Sequence, residues 1–145
     1  MKLPWSRKKE PDQLQTMSEC LASDRPDLTV SIWLQNAFER YQNLPSEIEV
    51  AYLSDRFLSE INSGGVVGLL NWEADRVSKM PLALSTIGMN DLASVLEQIV
   101  HESRAGLLDP ESASVEAFDQ LVMSQSREIE EATHQHIRRN IEKFV

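Results

Sequence analysis

The segment EINSGGVVGLLNW, Glu60 to Trp72, holds three of the chain's five glycines, at Gly64, Gly65 and Gly68. Apolar residues recur every three or four positions from 50 to 61, which predicts a helix with one buried face leading into the segment. Glycine reaches the positive φ values that the end of a helix often needs. The doublet therefore predicts a tight corner between two helices, and Gly68 predicts a close approach by another helix backbone.

The rest of the chain has the composition and periodicity of a helical protein. Glycine and proline together supply 11 of 145 residues, and alternating β-branched runs are absent. Helix-period apolar patterns run through residues 30–44, 92–100, 115–122 and 129–144. We therefore predict an all-α fold: a basic, flexible N-terminal tail at residues 1–12, then a single compact domain over residues 13–145. That domain should have about six to eight helices and close on a long C-terminal helix.

Local signals predict where several helices begin and end. Ser46 and Glu49 have the spacing of a capping box, in which each side chain accepts from the other residue's backbone N–H. Pro81 suits the first turn of a further helix, which Gly88 would end. Asn90 then has the position and side chain of an N-cap for the next helix.

Negative charge is concentrated in the body of the chain. The net charge is −9, yet residues 10–131 hold 22 acids and seven bases, and residues 1–9 hold four bases and no acid. A field of that sign repels nucleic acid and attracts basic surfaces. Direct binding to DNA or RNA is therefore not expected.

The sequence favours a cytoplasmic protein. Cys20 is the only cysteine, so no disulfide can form within the chain, and we expect it to act as a small apolar filler. The basic start MKLPWSRKKE lacks the apolar run of an export signal. No stretch approaches the roughly 20 apolar residues of a membrane span.

No constellation in the sequence predicts catalysis, a cofactor or a metal. His134 and His136 diverge by about 200° on a helix, so we expect two surface histidines rather than ligands of one ion. HExxH, GxSxG, GxGxxG and GxxxxGK[ST] patterns are all absent. We therefore expect no enzyme activity, no bound cofactor and no metal.

What the chain does offer is an array of carboxylates on helices. Duplex DNA carries about one negative charge per 1.7 Å of axis, and carboxylates on rigid helices imitate part of that pattern. The acids that we predict to bind a partner are Glu47, Glu49, Asp55 and Glu60 before the corner, Glu73 and Asp75 just after it, and Asp91, Glu97 and Glu102 beyond Gly88.

EINSGGVVGLLNW followed by ALSTIGMNDLASVLEQI resembles the DNA mimic protein nineteen family, whose motif is close to E-x-N-x-G-G-F-x-Q-aromatic and then A-L-x-x-I-G-A. The matching residues are Glu60, Asn62, Gly64 and Gly65, then Ala83, Leu84, Ile87 and Gly88. The overlap runs from about residue 45 to about residue 100, with looser similarity in AFDQLVMSQ and HIRRNIEKFV. Val66 stands where the family usually has Phe, Gly68 where it often has Gln, and Ser63 replaces a common Asn.

This resemblance implies an all-α fold and a homodimer whose acidic face is similar to duplex DNA. The family's namesake binds a transcriptional repressor and keeps it off its operator. Asn62, Gly64, Gly65 and Gly88 would be framework positions, with Asn62 bonding the backbone of the corner. No acid of the namesake's binding face can be transferred to this chain one by one.

The resulting hypothesis is a non-enzymatic acidic protein that presents carboxylates to a basic DNA-binding regulator. Two alternatives stay open. One is an immunity protein that neutralises a basic toxin such as a nuclease, and the other is a small helical enzyme or a scaffold of unknown substrate.

Overall fold

The computed structural model describes residues 15–41 and 43–145, and this part of the chain is all-α, as predicted. The predicted tail at residues 1–12 lies outside the described residues. The described helices are α1 Met17–Leu21, α2 Pro26–Arg40, α3 Ser46–Leu70, α4 Ala74–Thr86, α5 Asn90–Arg104, α6 Ala113–Ser124 and α7 Ser126–Arg139, followed by a 3₁₀ turn at Ile141–Lys143.

Helix α3 lies at the centre and packs against α2, α4, α6 and α7. It buries residues on more than one face because four helices pack around it. Phe57 is fully buried, and its ring meets that of Phe118 on α6 edge-on at a centroid distance of 6.3 Å. Burying one such side chain contributes about 1.5–3 kcal/mol. The described helices therefore share one hydrophobic core.

The predicted capping box at Ser46 and Glu49 is wrong. Pro45 is the N-cap of α3, no side chain caps this helix, and the Ser46 hydroxyl donates to the carboxylate of the next residue at 3.2 Å. A capping box forms instead at α1, where Thr16 and Glu19 exchange hydrogen bonds of 3.2 and 3.0 Å. Both pairs have the same spacing, but Thr16 is the N-cap of α1 whereas Ser46 is already the first helical residue of α3.

Helix α4 begins at Ala74, so Pro81 lies inside it and the prediction of a first-turn proline is wrong. The ring removes the N–H that would bond the carbonyl of Val77. The packing of α4 against both α3 and α5 compensates for that lost bond.

Gly88 ends α4 as predicted. Its φ is +91°, its N–H donates to Ser85 O at 3.0 Å, and Met89 N–H donates to Leu84 O at 2.9 Å. This pair of bonds is the Schellman pattern, which needs a residue with positive φ at this point. Asn90 is the first residue of α5 rather than its N-cap, because its Oδ1 accepts from the Ser85 hydroxyl at 2.8 Å.

Candidate functional site

The glycine segment forms a kink in α3 at Gly65. This residue has φ 67° and ψ −176°, and helical backbone resumes after it. The freed N–H of Val66 donates to Asp119 Oδ1 at 2.8 Å, so α6 caps the last turns of α3 from outside. A Cβ on Gly65 would lie 2.6 Å from Asp119 Oδ2. Gly65 therefore meets two demands, a positive φ and a close carboxylate.

The other two glycines of the segment do not meet such demands. Gly64 is helical, and among the described residues no atom beyond the neighbouring backbone of α3 lies within 4 Å of a Cβ built on Gly64 or Gly68. The close helix approach predicted at Gly68 is therefore wrong. Asn62 is exposed, and its side chain makes no hydrogen bond with another described residue, so the prediction that it bonds the backbone of the corner is wrong. Asp119 accepts from the backbone N–H at the corner instead.

Three of the acids predicted to bind a partner are paired with bases. Glu60 bonds Arg56 one turn away on α3, Glu73 lies 3.3 Å from Arg76, and Glu49 reaches Lys79 on α4 at 3.5 Å. Exposed pairs of this kind contribute little to stability, about 0–1 kcal/mol. They nevertheless reduce the charge that these acids present to solvent.

The two arginines in these pairs stack on aromatic rings. The Arg76 guanidinium lies 4.2 Å from the centroid of Phe38 and 5.6 Å from that of Trp72, and the Arg56 guanidinium lies 5.7 Å from the Trp72 centroid. Phe38 stacks in turn on Tyr52 at 4.5 Å. Cation–π contacts of this kind contribute about 0.5–2 kcal/mol each. We call Tyr52, Phe38, Arg76, Trp72 and Arg56 the arginine–aromatic stack.

Asp55 faces the interior between α2 and α3. Ser31 Oγ donates to its Oδ2 at 2.8 Å. Burial raises the pKa of Asp55, since it disfavours the charged form, while the Ser31 bond acts in the opposite direction. This carboxylate is thus less available to a partner than an exposed one.

The remaining five acids make no ion pair with another described residue. Asp75, Asp91 and Glu97 are exposed, and Glu102 accepts from Gln98 at 2.9 Å. The pKa of Glu47 lies below its usual value, first because its own backbone N–H stabilises the carboxylate and then because Ser46 donates to it. These are the predicted acids that no base of the described residues pairs with.

Three further acids near the start of α6 were not predicted from the sequence to bind a partner. Asp109, Glu111 and Glu116 are exposed around the start of α6, and Glu111 and Glu116 line a cleft beside Gly64. From Asp91 to Asp119 the chain has seven acids and one base. A charge count in short windows would have found this concentration.

The histidines predicted at the surface are buried. His134 is 5% exposed, and burial lowers its pKa; His136 Nε2 lies 2.9 Å from Glu47 O. Both histidines flank the buried Ile137 on α7, and the packing of α7 against α3 helps to bury this part of the helix. Among residues 15–41 and 43–145, no group of three or more His, Cys, Asp or Glu residues could hold a metal ion. Cys20 is buried, as its predicted filler role requires.

Comparison with known proteins gives one match. The family model described as DMP19-like protein matches residues 42–141. No curated protein and no solved structure matches the chain. Within the described part of the chain, no helix is both long and apolar enough to cross a membrane.

Proposed function

The chain belongs to the DMP19-like protein family, and we propose that it is a non-enzymatic acidic binding protein that presents carboxylates to a basic DNA-binding protein, such as a transcriptional regulator. The observation that carries the proposal is the run of unpaired acids along α5 and the start of α6. Seven acids and one base lie between Asp91 and Asp119. The proposal includes a homodimer, which the resemblance implies, and a cytoplasmic location, which the single cysteine favours.

The physical basis is the fixed spacing of like charges on helices. A helix fixes the backbone position of each carboxylate, so binding of a partner has to order only the side-chain torsions. Arrays of one sign steer an oppositely charged partner and raise its association rate, and they do so less as salt increases. A groove on a DNA-binding protein offers the matching basic surface.

The acids should not contribute equally to binding of a basic partner. Glu49, Glu60 and Glu73 already neutralise bases of this chain. Asp75, Asp91, Glu97 and Glu102 do not, so a partner gains most from these. We refer to these four as the unpaired acids, and we assign the main recognition role to them.

Affinity capture tests the proposal. The immobilised protein is exposed to nuclease-treated extract of its native cell at about 50 mM salt, and retained proteins are released at about 200 mM salt and identified by mass spectrometry. We expect a DNA-binding protein that duplex DNA competes off. Retention of only neutral proteins, or release that is indifferent to salt, would refute the proposal. Recovery of a basic nuclease toxin would select the immunity-protein alternative.

A charge-matched pair of variants then locates the surface. In the first, the unpaired acids become Asn or Gln; in the control, Asp24, Glu39, Glu128 and Glu142 are changed in the same way. Both variants lose four negative charges, so non-specific effects of net charge cancel. We expect only the first to lose at least tenfold in affinity and to flatten the dependence on salt. Equal losses would assign binding to net charge rather than to this surface.

A further inference from the structure

Helix α2 exposes two large apolar side chains that lie one turn apart. Leu28 is 52% exposed and Ile32 is 49% exposed, whereas Val30, Trp33 and Leu34 are buried. Among the described helices, α2 is the one in which two large apolar residues four positions apart are both exposed. Single exposed apolar residues are ordinary on a protein surface. A pair on one face of a helix instead forms a continuous apolar surface that the rest of the described chain leaves open.

This pair is the centre of a regular stripe along α2. Arg25, Leu28, Ile32, Gln35 and Glu39 follow one another at alternating steps of three and four residues. That spacing keeps side chains on one narrow face, and it is the spacing of the seam between two helices in a coiled coil. Arg25 and Glu39 are exposed and lie at equal distances in sequence from Ile32. We call these five residues the α2 stripe, which has an apolar centre and opposite charges at its two ends.

The α2 stripe is complementary to a second copy of itself. If two α2 helices pack antiparallel about a two-fold axis at Ile32, Arg25 of each copy lies next to Glu39 of the other. Arg25 donates to Asp27 through Nε and Nη2 at 3.1 and 3.0 Å, so its Nη1 remains for a second carboxylate. Glu39 accepts from Gln35 at 3.3 Å and makes no ion pair with another described residue. Both end charges can therefore form a pair across the axis.

The distribution of charge also favours α2 for contact between copies. Residues 25–40 hold two acids and two bases, whereas residues 43–131 hold 16 acids and five bases. Like charges brought together across an interface repel each other. Two copies of a chain with a net charge of −9 therefore meet the least repulsion when they approach through α2. A basic partner would instead be drawn to the acidic helices.

A small cleft beside Ile32 adds room for an apolar contact. It lies between α1 and α2, encloses about 120 Å³, and is lined in part by Cys20, Thr29 and Trp33. Cys20 and Trp33 are themselves buried apolar residues. Because Ile32 lies at the centre of the α2 stripe, Ile32 of a second copy would lie at the edge of this cleft. An apolar side chain can pack there more closely than on a flat surface.

We propose that two copies of this protein associate through α2, as an antiparallel pair of helices with Ile32 at the two-fold axis. The inference rests on the proposed function in that it names the contact surface of the homodimer included there. Helix α2 itself lies outside residues 42–141, which match the family model. The apolar centre supplies the affinity, and Arg25 and Glu39 fix the direction of packing, because exposed ion pairs add little stability. The unpaired acids lie on α4 and α5, so a basic partner uses different helices.

Sedimentation equilibrium of the full chain, from about 1 µM to about 1 mM, tests this interface. We expect a monomer–dimer equilibrium that Ile32→Asp weakens at least about tenfold, since a carboxylate from each copy would then lie at the two-fold axis. Leu107→Asp is the matched control and should leave the equilibrium unchanged, because Leu107 is 76% exposed and lies outside α2. Both variants add one negative charge at an exposed position, and far-UV circular dichroism checks that both are folded.

Exchange of the end charges tests the antiparallel direction. Arg25→Glu and Glu39→Arg should each weaken association about threefold, because each brings like charges together across the axis. The two variants change the net charge in opposite directions, so a loss in both cannot come from net charge. The double variant should restore association, since it exchanges the two ends of the α2 stripe. Single changes without effect would exclude the antiparallel arrangement.

The outcomes separate this inference from the proposed function. A full chain that stays monomeric over the whole range, or a dimer that Ile32→Asp leaves intact, would overturn the inference while the acidic surface still stands. Equal losses in Ile32→Asp and Leu107→Asp would also overturn it, because they would assign association to net charge. A dimer that only Ile32→Asp dissociates, in a protein that captures no DNA-binding protein, would support the interface and refute the proposed function.

Discussion

Replacing Gly65 by alanine should destabilise the protein, whereas replacing Gly64 or Gly68 should stabilise it slightly. Gly65 has φ 67° and ψ −176°, a conformation that only glycine adopts readily, and forcing another residue into it costs about 1–3 kcal/mol. The new Cβ would also displace Asp119, whose carboxylate would lie 2.6 Å away. Loss of its bond to Val66 N–H adds about 1.5–3 kcal/mol. We expect Gly65→Ala to lower the free energy of unfolding by about 3–5 kcal/mol.

Gly64→Ala and Gly68→Ala are matched controls. Both positions are helical, and a Cβ there meets nothing within 4 Å. Alanine in a helix interior is favoured over glycine by about 0.5–1 kcal/mol. These two variants should therefore be slightly more stable than the unmodified protein, although each makes the same chemical change as Gly65→Ala.

Urea denaturation followed by far-UV circular dichroism measures the free energy of unfolding of all three variants. The midpoint should move while the slope stays constant, and the melting temperature of Gly65→Ala should fall by roughly 10 °C. A double-mutant cycle with Asp119→Ala isolates the clash, because removing the carboxylate makes room for the Cβ. Both single changes lose the same bond to Val66 N–H, so the double variant should be more stable than the sum of the single changes by at least about 1.5–3 kcal/mol. A loss below about 0.5 kcal/mol at Gly65, or equal effects at all three glycines, would refute this reasoning.

Three further changes test other parts of the structure. Asp55→Asn should raise the free energy of unfolding at pH 7, because burial raises the pKa of Asp55 and its ionised form destabilises the folded state; the gain should shrink as the pH falls through that raised pKa, in urea titrations at several pH values. The pKa of buried His134 is lowered, so its contribution is complete above the unfolded value of about 6.5 and declines below it; His134→Leu should flatten that part of the pH–stability profile. Gly88→Ala should cost about 1–2 kcal/mol by thermal melting, because its φ of +91° disfavours a Cβ.

The fold was predictable because helix periodicity is a local signal. Four apolar patterns each spanned several turns, and the structure places a helix at each, although the helices at 30–44 and 129–144 end at Arg40 and Arg139. The errors concern boundaries, where the sequence allows more than one solution. Ser46 and Thr16 both precede a glutamate by three residues, yet only Thr16 closes a capping box. Pro81 fits a first turn by its own chemistry, but the packing of α4 decides that it lies inside a helix.

The site was less predictable because its contacts join distant parts of the chain. Asp119 lies 53 residues beyond the Val66 N–H that it accepts from, and no local pattern links them. His134 and His136 looked exposed because polar residues surround them in sequence, while the packing of α7 against the rest of the protein buries both. The assignment of the nine acids to a binding surface stays a prediction. What the structure adds is which of them already bond a base.

Whether an acid already bonds a base determines how the effect of neutralising that acid on binding has to be interpreted. Glu60 and Glu73 hold the guanidiniums of Arg56 and Arg76 in the arginine–aromatic stack, which joins α2, the kinked α3 and the start of α4. Neutralising either acid leaves an arginine of this junction without its ion-pair partner, so lost binding there would combine a lost contact with a change in the junction. Asp91 and Glu97 bond no base among the described residues, and their replacement leaves the junction intact. Only a loss of affinity at acids of this second kind, with an unchanged melting temperature, is evidence for recognition.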